Sequence, residues 1–187
     1  FLLRFLQRFL LWFLRRFLER VRRRIRGGCR LWFRQRGVRA GRAGPVGLGC
    51  VTFGREIDQD TSFGLLDHAI GKGINLFDTS SRYGRSEEIL GRALSGVPRD
   101  SYILSTKWVH ATSWSPRGVG GPDGEVERDP QALLRGVEPS LQRLRTDTID
   151  IMHFHGLRTE QYSTVVQRFA PVMKQLQEQG KIRFIGM

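Results

Sequence analysis

The sequence predicts a parallel α/β architecture, and three observations carry that reading. Past Pro45, short apolar runs alternate strictly with amphipathic stretches, giving five strands and four helices. Gly and Pro punctuate the joins between them. The conspicuous polar residues fall where apolar runs stop rather than within them. Strict alternation implies parallel strands joined by right-handed crossovers, either an open doubly wound sheet or part of a (β/α)8 barrel. Only 143 of the 187 residues follow Gly44. A barrel needs roughly 250, so the barrel reading leaves about three strand–helix units outside this sequence.

Taken in order, Val46–Val51 is the first strand run. From Asp58 to Ile70, Phe63, Leu66 and Ile70 share one helical face, with Gly71 and Gly73 to stop the helix. Ile74–Phe77 is the second strand. Ser86 is placed to cap a helix opening with Glu87 and Glu88, acids suited to the positive helix end, and Gly96 and Pro98 end it. Tyr102–Trp108 is the third strand. Asp129-Pro130 reads as an N-cap and first-turn proline before the stripe Leu133, Val137, Leu141 and Leu144. Ile149–His155 is the fourth strand, Thr164–Gln179 the fourth helix, and Ile182–Gly186 opens a fifth strand. Pro139 and Pro171 should bend or interrupt the helices that contain them.

The net charge of +13 resembles that of a nucleic-acid binder, but its distribution argues otherwise. Residues 1–44 hold 14 Arg, no Lys and the single acid Glu19, whereas residues 45–187 balance 17 basic against 17 acidic residues. The basicity therefore belongs to the leader and predicts no nucleic-acid partner for the globular part. Within residues 1–26 an Arg-Phe-Leu pattern recurs, and Arg4, Arg8, Arg15, Arg22 and Arg26 lie at helical spacing. That segment reads as a cationic helix for an anionic membrane surface, as an Arg-rich transit leader, or as low-complexity sequence outside the native frame. The opening Phe and the lack of Met before Met152 favour the last. Residues 27–45 read as a linker, making residues 1–44 and 45–187 the two expected domains. Two cysteines, Cys29 and Cys50, are too few for a disulfide scaffold and point to a reducing, cytoplasmic setting. No apolar run is long enough to span a bilayer.

Four side chains converge at the carboxyl ends of successive strands, where parallel α/β folds place their sites. Asp78 ends the second strand, Tyr83 lies in the next loop, Lys107 ends the third strand and His155 the fourth. Singly, each has an ordinary alternative: an Asx turn, a packed loop aromatic, a structural histidine. Lys107 is the hardest to dismiss, because an ammonium beside a buried strand needs a partner. Together they form a proton-delivery set. An ammonium lowers the pKa of a phenol, a carboxylate holds the ammonium, and a histidine orients a carbonyl by hydrogen bond. "GLGCVTFG" is no dinucleotide fingerprint, because Thr52 stands where a third glycine is wanted. The connection His110–Glu127, rich in Gly and Pro, is either a substrate-side lid or a solvated loop, and Trp108, His110 and Trp114 are candidates to line a pocket.

The stretches "VGLGCVTFG", "GINLFDTSSRYGRSEEILGRAL", "ILSTKW", "SLQRLRTDTIDIMHFH" and "GKIRFIGM" together resemble the aldo-keto reductase family over residues 46–187. The resemblance implies a partial (β/α)8 barrel of about five of the eight units. It implies carbonyl reduction with NADPH, NADH being left open, and the catalytic residues Asp78, Tyr83, Lys107 and His155. Gly49, Cys50, Val51 and Asp78 are then expected at the cofactor, Trp108 and His155 at the substrate, and His153 deeper in the interior. No metal is expected, and the partner is a small carbonyl compound. The family's grip on the cofactor's amide and adenine-side phosphate lies beyond "IGM", so little or no activity is expected of this chain by itself. The alternatives carried forward are a non-catalytic NADPH-binding subunit on the same fold, and a membrane-binding helix with a passenger fragment.

Overall fold

Five parallel strands lie side by side in the same order in space as in sequence. The structure, a computed structural model, describes residues 43–109, 114–115, 118–119 and 129–187. The basic leader through residue 42, His110, most of the Gly- and Pro-rich connection and the Trp114 side chain lie outside the described residues. The strands are β1 (Gly47–Gly49), β2 (Leu76–Asp78), β3 (Ile103–Trp108), β4 (Ile149–Phe154) and β5 (Ile182–Gly186). A doubly wound sheet reverses its strand order at a switch point. This sheet has no reversal, and sequential right-handed crossovers place every helix on one face, as in a barrel wall.

Between the strands run α1 (Gln59–Gly71), α2 (Ser86–Ala93), α3 (Gln131–Leu144) and α4 (Tyr162–Glu178). Asp58 caps α1, its Oδ1 accepting from the Thr61 amide at 2.8 Å. At α3 the expectation shifts by one residue: Pro130 itself stands at the cap position, no side chain caps the helix, and Asp129 just before it accepts from the Gln131 amide at 2.9 Å. A short antiparallel bridge pairs Trp114–Ser115 with Gly118–Val119 inside the long connection.

Strand alternation sorts the sheet into two faces. Phe77, Leu104, Trp108, Met152 and Phe154 point to the helices and are buried there with Leu90, Val137, Phe169 and Met173. Each such side chain, fully removed from water, contributes about 1.5–3 kcal/mol. The opposite face carries Asp78, Ser105, Lys107, Ile151 and His153 in register across the strands. It is only partly covered, and Phe184, in register with Ile151 on that face, is 64% exposed.

Buried ionic residues tie the wall together. Asp150 accepts from the Leu104 amide at 2.8 Å, from Arg99 at 2.6 Å and from Arg183 at 2.8 Å, joining β3, β4 and β5 near their amino ends. Glu87 of α2, 1% exposed, accepts from Thr106 of β3 and Arg143 of α3, both at 2.7 Å.

Three local expectations need correction. Ser86 is not a side-chain cap: it sits inside α2, and its buried hydroxyl donates to the Cys50 carbonyl at 2.6 Å and meets Thr79 Oγ1 at 2.7 Å. Those bonds tie the end of β1 to the loop after β2, a stronger demand than capping. Neither Pro139 nor Pro171 interrupts its helix. Buried residues on both sides of each, Val137 and Leu141 in α3 and Phe169 and Val172 in α4, hold the helix against the wall despite the lost amide. Finally, β1 is three residues long, not six, because Cys50 to Arg55 turn back on themselves through bonds to Cys50 and Thr52 carbonyls.

Candidate active site

The site forms at the carboxyl ends of β2, β3 and β4. Asp78 is the last residue of β2, and its register with Gly49 and Ser105 aims its side chain at the open face of the sheet. Ser105 donates to Asp78 Oδ1 at 2.7 Å, fixing the carboxylate's rotation. Lys107, two residues further along β3, shares that face by the strand period. Its Nζ lies 2.5 Å from Asp78 Oδ2 and 2.8 Å from the Thr79 carbonyl. An ammonium has three N–H donors, and these two bonds leave the third without a partner among the described residues.

Tyr83 reaches the cluster because the loop after β2 turns tightly: the Tyr83 amide donates to the Ser80 carbonyl at 3.0 Å, and the Ser86 amide to the Tyr83 carbonyl at 3.0 Å. Lys107 Nζ lies 4.9 Å from the centre of the Tyr83 ring. His155 meets that ring edge-on, with centroids 5.5 Å apart and planes at 88°. Its backbone amide extends the β3–β4 ladder by donating to the Trp108 carbonyl at 2.8 Å, and its Nδ1 lies 3.0 Å from Ser80 Oγ. Asp78, Tyr83, Lys107 and His155 are thus brought together by three strand ends and one loop.

His153, in register with Lys107 and Gly186, lies one layer deeper on the same face. A Cβ on Gly186 would collide with His153 Nδ1, so glycine is what lets the ring approach β5 this closely. Burial pushes the His153 pKa down, with Asp78 opposing and Lys107 reinforcing.

Two of the expected site residues do not face this cluster. Trp108 follows Lys107 by one residue, so it points to the other face. There it is buried, 5.2 Å from the Phe169 ring and 6.3 Å from the Phe154 ring, and its indole fills the space left by Gly136. Trp108 is a core residue, not a substrate contact. Cys50 is likewise turned inward: its side chain is buried, its amide donates to the Asp78 carbonyl at 2.8 Å, and its carbonyl accepts from Ser86. Burial, with Asp78 nearby, pushes its thiol up to about 12. Gly49 and Val51, in contrast, are exposed, and a Cβ on Gly49 would meet only open space beside Asp78.

The serines and threonine around the cluster were not singled out from the sequence. Ser80, Ser105 and Thr79 are each bonded to one of the four central residues. The available signal was position: Thr79 and Ser80 directly follow Asp78, and Ser105 precedes Lys107 by one strand period. Among the described residues no group of His, Cys, Asp and Glu could hold a metal ion, and no helix is long and apolar enough to cross a membrane.

Residues 45–187 match the family model described as the aldo/keto reductase family. The chain belongs to the aldo-keto reductase family. It is 32% identical over 165 residues to an L-galactose dehydrogenase of Arabidopsis thaliana, covering 84% of this chain and 48% of that protein. It is 34% identical over 145 residues to an uncharacterized oxidoreductase of Bacillus subtilis, covering 76% and 44%. Among solved structures it is similar to an aldo-keto reductase from Bacillus halodurans in its holo form. That match has a TM-score of 0.62 and 26% identity, over 80% of this chain and 49% of the other. The chain spans about half the length of the curated relatives it matches.

Proposed function

We propose that this aldo-keto reductase chain carries the proton-delivery centre of an NADPH-dependent reductase that converts aldehydes or ketones to alcohols. The observation that carries the reading is the Asp78–Lys107 pair, with its ammonium 4.9 Å from the Tyr83 ring. Tyr83 Oη gives its proton to the substrate oxygen. The Lys107 ammonium stabilises the phenolate left behind, and Asp78 holds that ammonium in place. His155, at the edge of the Tyr83 ring, donates a hydrogen bond that orients the carbonyl.

When bound, NADPH supplies the hydride. Gly49 and Val51, with open space beside Asp78, suit its nicotinamide–ribose end. The partner is a small carbonyl compound rather than nucleic acid, the setting is cytoplasmic, and any membrane contact belongs to residues 1–26.

The test is Tyr83→Phe, assayed by NADPH oxidation with an aromatic aldehyde. Carbonyl reduction should fall by about 10²-fold or more while NADPH affinity stays nearly unchanged. Equal turnover by the variant would overturn the role given to Tyr83. Absence of turnover in the parent protein as well would favour a non-catalytic NADPH-binding subunit.

A further inference from the structure

Ser80 has no role in the chemistry described so far, yet its surroundings are restrictive. The residue is fully buried, at 0% exposure. A serine hydroxyl offers one hydrogen and two acceptor sites. The Ser80 oxygen accepts from the Arg82 amide at 3.2 Å, a bond that belongs to the turn leading to Tyr83. Its other side-chain partner among the described residues is His155 Nδ1 at 3.0 Å. Among the described residues the hydroxyl hydrogen therefore has one available acceptor, that nitrogen. Were Nδ1 to carry a proton, two donors would face one oxygen and the buried Ser80 hydrogen would lose its acceptor. A stranded buried donor costs about 1–3 kcal/mol. In the alternative the Ser80 hydrogen is satisfied: Ser80 donates, Nδ1 accepts, and the ring proton sits on Nε2.

We propose that Ser80 is a positioning residue that holds His155 in its neutral, Nε2-protonated tautomer. The same bond fixes the ring's rotation, and with it the edge-on approach to Tyr83 at 5.5 Å. The loop after β2 therefore sets both polar partners of the carbonyl: Tyr83 through its backbone turn and His155 through the Ser80 hydroxyl. The consequence for turnover rests on the reductase reading above, whereas the tautomer assignment does not.

The experiment separates the two. The full 187-residue chain is labelled with 15N-histidine, and its ring nitrogens are read by long-range 1H–15N correlation near neutral pH, His155 being assigned with a His155→Gln variant. The expected wild-type pattern is unprotonated Nδ1 and protonated Nε2. Ser80→Ala should relax it to a mixture of tautomers, and Ser80→Cys, near-isosteric but a weaker donor, should lie between. A wild-type His155 protonated at Nδ1 would overturn the proposal without any variant having to fold. So would an unchanged pattern in a Ser80→Ala chain that folds. In the active protein, Ser80→Ala should lower kcat/KM by roughly 5–10-fold, the worth of one hydrogen bond. A correct tautomer pattern with no carbonyl reduction would sink the reductase reading alone.

Discussion

Lys107 Nζ is clamped between Asp78 Oδ2 at 2.5 Å and the Thr79 carbonyl at 2.8 Å, so its position is set by β2 rather than by its own flexible stem. Ser105 in turn fixes the carboxylate, which makes the clamp a chain from β3 to β2 and back. Asp78→Asn keeps the shape but removes the charge that holds the ammonium. We expect kcat for carbonyl reduction to fall by about 10²-fold, with a smaller change in KM, because the loss is felt as the phenol gives up its proton. The Asp78 side chain is 37% exposed, so the cost to folding should be modest by comparison. Steady-state kinetics paired with urea unfolding checks both halves. Wild-type kcat in a folded variant would show that the ammonium needs no such partner.

Much of this site was legible because its central residues fall at the ends of apolar runs, and run ends are what alternation marks best. Asp78, Lys107 and His155 needed only the positions of β2, β3 and β4, and Tyr83 only the loop between β2 and α2. Sequential strand order was not legible from the alternation, since a doubly wound sheet alternates equally well; it rested on the family resemblance until the pairing was seen. Trp108 was misread because its neighbour Lys107 faces the site. The two-residue period that puts Lys107 inside puts Trp108 outside, against Phe169. Ser86 was misread because capping is a local rule, whereas its hydroxyl answers to Cys50, 36 residues away. Ser80 and Glu87 share that difficulty: their partners, His155 and Arg143, are distant in sequence and adjacent only after folding.

The Glu87–Arg143 pair tests how the helical layer is held behind the site. Glu87 is buried and bonded to Thr106, while the Arg143 side chain keeps 32% exposure. Arg143→Met would leave a carboxylate in the core with only a hydroxyl for company. Breaking such a pair costs about 3–5 kcal/mol when both partners are buried, and the exposure of Arg143 places this one at or below the lower end. Adding Glu87→Leu removes the stranded charge, so the double variant should be more stable than the sum of the single losses implies. A coupling of about 1–3 kcal/mol in urea unfolding is expected. Strict additivity would mean that the pair does not tie α2 to α3.

His153 should make folding stability sensitive to mild acid. Its ring packs closely against Gly186 and is partly withdrawn from water, and burial is the largest cause of its lowered pKa, ahead of the opposing pull of Asp78. In the unfolded chain the imidazole titrates at its ordinary value of 6.5. Below that value the unfolded state takes up a proton that the folded state does not, so stability falls with falling pH. The contribution is fully present above 6.5 and is lost as pH drops through that value toward the lower folded pKa. His153→Gln removes the titration while leaving the other histidines in place. Urea midpoints measured near pH 7.5 and pH 5.5 should therefore fall further apart in the wild type than in the variant. Equal shifts in the two proteins would mean that His153 binds its proton as readily in the folded wall as in the unfolded chain, and burial would then not be what sets its titration.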